Sequence, residues 1–126
     1  MAILTDDNYV DKAEKAIKSL NQTKDRNNKN RFFLTTTKIR NLLNLTSNLF
    51  DESKVREYKE LADKIAYLRV QFVYQAGREP SVKDLVRKAE ILAALKEINN
   101  KESLQRFCRY MEALVAYFRF YGGEDS

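Results

Sequence analysis

The stretch "RFCRYMEALVAYFRFYGG", residues 106–123, carries the reading of the fold. At about 100° per residue, Leu104, Phe107, Cys108, Met111, Leu114, Val115 and Phe118 fall on one arc, the apolar stripe of a core helix. On the opposite side Arg106, Arg109, Tyr110, Ala113, Tyr117 and Phe120 gather, which leaves Gln105, Glu112 and Arg119 as the only plainly solvated line. A helix with two such faces needs a second neighbour. Tyr110, Tyr117 and Phe120 are therefore expected to meet a partner.

Upstream, Ser53 to about Ala76 carries Val55, Tyr58, Leu61, Ala62, Ile65, Leu68, Phe72 and Ala76 at helical spacing. Gly77 is expected to end that helix, with Pro80 barring its continuation. Ser81, with Asp84 three residues on, reads as the cap of a further helix through Val82, Leu85, Val86, Ala89, Leu92 and Ala93. Asn100 reads as the cap of the last helix. Towards the N-terminus, Thr5 or Asp6 opens a short helix with Tyr9, Ala13, Ile17 and Leu20. The segment "TTTKIRNLLNLTSNLF" supplies a threonine cap and another apolar stripe through Ile39, Leu42, Leu43, Thr46 and Phe50. Between them the Asn-rich basic segment at about residues 21–34 has no periodicity and reads as a mobile loop. The expectation is an all-α, compact bundle of about five helices forming one domain over residues 1–126.

Three glycines and one proline among 126 residues suit helices, and 44% hydrophobic with 33% charged residues suits a soluble globular chain. No apolar run approaches the roughly 18 residues of a membrane span, and the first residues lack the pattern of a signal peptide, so a cytoplasmic protein without membrane contact is expected. A single cysteine makes no internal disulfide. Charge is uneven. Residues 1–50 hold nine basic and five acidic side chains, whereas residues 51–126 hold fourteen and thirteen, which points to a polyanion as partner.

Catalytic chemistry finds little support. No histidine is present, one cysteine cannot build a zinc site, and no glycine-rich phosphate loop occurs, so neither metal nor cofactor is expected. The pairs Asp6–Asp7 and Asp51–Glu52 sit at expected helix starts, where the helix dipole alone favours carboxylates. Cys108 reads as a buried thiol. A helix-turn-helix over "GREPSVKDLVRKAEI" lacks the clustered Arg, Gln or Asn of a base-reading helix.

Surfaces carry more. Lys64, Tyr67, Gln71, Tyr74 and Arg78 share one side of the long helix, a mixture of cations, rings and amides that suits RNA. The competing reading is that Tyr67 and Tyr74 merely cover a second hydrophobic layer. Arg69 lies within an apolar arc, so it either pairs with a buried acid or projects into an interface.

The blocks "TTTKIRNLLNL", "LADKIAYLRVQFVYQAGRE" and "LQRFCRYMEALVAYFRFYGG", in that order, make the chain resemble the small-subunit family of type III-A CRISPR Csm effector complexes. That resemblance implies a non-catalytic helical protein present in several copies along a guide-RNA filament. It also implies contact with the backbone and large Csm subunits, with other copies of itself, and with guide and target RNA. Lys38, Arg40, Lys64, Arg69, Arg78, Arg106 and Arg109 are the expected RNA contacts, holding phosphates without reading sequence. Tyr67, Tyr74, Tyr110, Tyr117 and Phe120 are the expected partner-facing residues. The rival from another class is a helical adaptor that binds an acidic protein and touches no RNA.

Overall fold

The computed structural model describes residues 2–24 and 26–124. The last helix, α6 (Lys101–Phe120), packs between α1 (Tyr9–Lys18) and α2 (Thr36–Ser53). Around them stand α3 (Tyr58–Arg78), α4 (Pro80–Lys88) and α5 (Ile91–Lys96). The fold is thus mainly α-helical, with six helices among the described residues.

The core is the apolar stripe of α6 together with what faces it. Leu104, Phe107, Met111, Leu114 and Phe118 are fully buried, as are Phe72 and Leu68 of α3 and Ile39 and Leu42 of α2. Phe72 and Phe107 meet edge to face with centroids 6.3 Å apart. Burial of each large apolar side chain contributes about 1.5–3 kcal/mol, against roughly 0–1 kcal/mol for an exposed ion pair. The stripe, not the surface charge, holds the bundle together. Asn100 caps α6 as expected: its side chain accepts from the Ser103 N–H at 2.8 Å, while Ser103 Oγ accepts from the Asn100 N–H at 3.1 Å. Thr35 caps α2, accepting from the Lys38 N–H at 3.4 Å.

Several boundaries differ from expectation. Ser53 ends α2 instead of opening the long helix, because its hydroxyl bonds back to the Phe50 carbonyl at 2.6 Å and accepts from Gln105 Nε2 at 2.9 Å. Val55, expected in the core stripe, lies in the connection and is 82% exposed. Ala62 is exposed as well. Gly77 does not stop α3. The break comes at Glu79, which Pro80 forces out of the helical region to φ −125°, ψ 110°. Pro80 then takes the first position of α4, where a missing N–H costs nothing. Ser81 is consequently inside α4, buried with an unpartnered hydroxyl, and not a cap. The expected fourth helix is two, since Glu90 adopts a left-handed φ of 54° between α4 and α5. The segment read as a mobile loop contains a short antiparallel hairpin, β1 (Gln22–Lys24) with β2 (Asn30–Phe32), anchored by Phe32 against Phe118 at 5.0 Å.

The closing glycines are structural. Gly122, at φ 98°, donates to the Arg119 carbonyl at 3.2 Å and Gly123 to the Phe118 carbonyl at 2.8 Å, the paired bonds of a Schellman ending. The chain turns back so that the Glu124 carbonyl accepts the otherwise orphaned Thr36 N–H of α2 at 2.9 Å, while the Glu124 carboxylate pairs with Arg31 at 2.7 Å. The end of α6 thereby ties the start of α2 to the hairpin.

Candidate nucleic-acid interface

Lys38 pairs with Glu79 at 3.1 Å near one end of α2 and α3, and Lys64 with Glu52 at 2.6 Å near the other, so the two helices run antiparallel. Leu61, Ile65, Leu68 and Phe72 turn α3 inward. The helical period then places Lys64, Tyr67, Gln71, Tyr74 and Arg78 along its α2 flank. Two adjoining depressions of about 350 and 330 Å³ follow this seam, sharing Leu45, Tyr67 and Gln71 as walls. Asn44 and Asn48 of α2 line the second of them. Tyr67 and Tyr74 are each 62% exposed, so neither is hidden in a second hydrophobic layer. The Arg78 guanidinium sits 5.8 Å from the centre of the Tyr74 ring. The fourteen helical steps from Lys64 to Arg78 extend about 21 Å.

Such a groove has defined chemistry. Exposed ring faces stack on unpaired bases, amides bond to base edges or ribose, and cations at both ends hold phosphates. Lys38 and Lys64 are engaged in ion pairs of modest worth at a solvated surface, which a phosphate can displace. Arg40 is exposed on α2.

The other expected RNA contacts lie elsewhere. Arg69 is exposed on the opposite flank of α3, beside Tyr58, Leu95 and Lys96, which settles its position in the monomer against burial with an acid. Arg106 donates through Nε to Asp6 at 2.8 Å, and Arg109 is exposed on α6. These three do not join the groove.

The second face of α6 is explained largely within the chain. Tyr110, assigned to a partner interface, is instead fully buried, and its hydroxyl donates to the Ala89 carbonyl at 2.8 Å. Tyr117 is half-buried and stacks on Tyr121 at 6.3 Å, and the Tyr121 hydroxyl bonds to Glu14 of α1. Arg106 reaches Asp6 just before α1. The company that this face requires is thus mostly the N-terminal helix. Phe120 alone among the three aromatic residues remains open, at 76% exposure.

Burial, with the Glu112 charge as a lesser cause, pushes the Cys108 thiol up to about 12, so it remains protonated and a poor nucleophile at neutral pH. Burial likewise raises Tyr110, helped by Glu90. Among the described residues no group of three or more potential metal-ligating side chains comes together. Glu52 of one acidic pair is engaged by Lys64 and Arg56, and Asp6 of the other by Arg106. No described helix is long and apolar enough to cross a membrane. Asn44, Leu45, Asn48 and Gln75 are groove residues that sequence reasoning missed. The i, i+4 spacing of Asn44 and Asn48 was the available signal.

Residues 7–124 match the family described as Csm2 Type III-A. The chain is 65% identical over 125 residues to the CRISPR system Cms protein Csm2 of Streptococcus thermophilus, covering 99% of this chain and all of that one. It is 46% identical over 131 residues to the protein of the same name from Mycobacterium tuberculosis, with both chains fully covered. The match to that from Enterococcus italicus is 36% over 97 residues, covering 70% of this chain and 68% of the other. The chain belongs to the Csm2 family and is a small subunit of the type III-A CRISPR Csm complex.

Proposed function

We propose that this subunit is a non-catalytic clamp on RNA within the cytoplasmic Csm complex. Copies of it pack along the backbone and large subunits and hold the target strand against the guide by contacts that ignore sequence, leaving specificity to base pairing. The observation that carries this reading is the α2–α3 groove, where Lys64, Tyr67, Gln71 and Tyr74 line one solvent-open seam and Arg78 lies over the Tyr74 ring. Lys38 and Arg40 extend its cationic margin.

The test uses Csm complexes assembled with K64A/Y67A/Y74A/R78A subunits and measures release of a bound target RNA across a salt series. Faster release is expected, with a salt slope shallower by roughly 1.5 for two lost phosphate contacts, while assembly is retained. Normal release from a correctly assembled complex refutes the proposal. Lost assembly with no change in RNA retention supports the adaptor reading instead.

A further inference from the structure

A second cationic site lies on α4, outside the groove. Asn21, Pro80, Lys83, Asp84, Arg87 and Lys88 surround a depression of about 490 Å³. Its one carboxylate among the described residues is already engaged: Asp84 accepts the Asn21 N–H at 2.8 Å and pairs with Lys88 at 3.0 Å. Lys88 also donates to the Ser19 carbonyl at 2.8 Å, so this lysine and aspartate fix the end of α1 to α4. Lys83 and Arg87, one helical turn apart and both exposed, have no ion-pair partner among the described residues. The hairpin begins directly after Asn21 and carries exposed Lys24 and Arg26.

We infer that Lys83 and Arg87 form a phosphate-binding site for a nucleic-acid backbone, separate from the base-stacking groove. Composition distinguishes the two surfaces. Among the described residues the α4 site has no aromatic ring on which a base could stack, and Pro80 is its only apolar wall. A protein interface needs a desolvated apolar or aromatic centre, which this surface lacks. Repeating phosphates need only cations and N–H donors at a solvated surface. The site therefore grips backbone, whereas the groove takes bases as well.

The test is fluorescence anisotropy with the full chain at 20 mM salt and upward. The probes are a labelled abasic phosphodiester strand of twelve units and a dodecamer of oligouridine. K83A/R87A is expected to weaken abasic-strand binding and to lower its salt slope by about 1.4, so that the wild-type chain loses about 7-fold more affinity than the variant between 50 and 200 mM salt. Y67A/Y74A is expected to weaken oligouridine binding and leave the abasic strand unaffected. Melting curves identify any variant that fails to fold, and K83Q/R87Q then provides the same comparison with longer side chains. The inference is overturned by unchanged abasic binding in a folded α4 variant, by no abasic binding in the wild type, or by equal competition from polyglutamate. Failure of Y67A/Y74A alone counts against the groove and not against this site.

Discussion

Replacing Tyr110 by Phe removes one hydroxyl and leaves the ring in place. That hydroxyl donates at 2.8 Å to the carbonyl of Ala89, a fully buried residue just past the end of α4, where helix carbonyls lack internal partners. A hydrogen bond exchanged for water contributes about 0.5–1.5 kcal/mol, but a buried acceptor left without its donor costs about 1–3 kcal/mol. The structure puts Tyr110→Phe near the overlap, about 1.5 kcal/mol, which lowers the folded-to-unfolded ratio roughly tenfold. Urea unfolding followed by circular dichroism should show a lower midpoint with an unchanged slope. A loss below about 0.3 kcal/mol would refute the assignment of this hydroxyl as an internal tie. So would wild-type stability combined with weakened association with another subunit, the outcome expected of a partner-facing tyrosine.

Other consequences concern the thiol and the chain end. The Cys108 thiol ionises near 9.0 when unfolded but near 12 in the fold, so its contribution to stability is intact below about pH 9 and declines as pH rises towards 12. Native protein should resist a thiol-specific reagent at neutral pH and react once urea is added, whereas rapid native labelling would contradict burial. A Cβ at Gly123 would overlap the ring and carbonyl of Phe118. Gly123→Ala should therefore destabilise by about 2 kcal/mol or more, read as a lowered melting temperature. Gly122→Ala, strained at φ 98°, should cost about 1–2 kcal/mol in the same assay.

What the sequence made legible was what depends on periodicity. The α6 stripe, the Asn100 cap, the Thr35 cap and the burial of Thr46 all follow from local spacing. Breaks set by tertiary bonds were not legible. Ser53 ends α2 through bonds that include distant Gln105, and beside the left-handed Glu90 the carbonyl of Ala89 is met by Tyr110, twenty-one residues on. The hairpin gave no alternation because its strands have three residues each and almost no buried side chains. The same limit governed the second face of α6. Its apolar and aromatic content was plain, but whether α1 or another chain covers it depends on where α1 docks. By contrast, the groove face of α3 was visible in spacing alone, because five side chains on one helix need no tertiary information to be grouped.

Ultraviolet crosslinking of the assembled Csm complex to a 4-thiouridine-containing target RNA tests the proposed groove contact most directly. After digestion, mass spectrometry should place the subunit's principal crosslinks on the α3 peptide containing Tyr67 and Tyr74. Crosslinks concentrated on the exposed side of α6 around Arg109, or no crosslink to this subunit in a fully assembled and loaded complex, would contradict it.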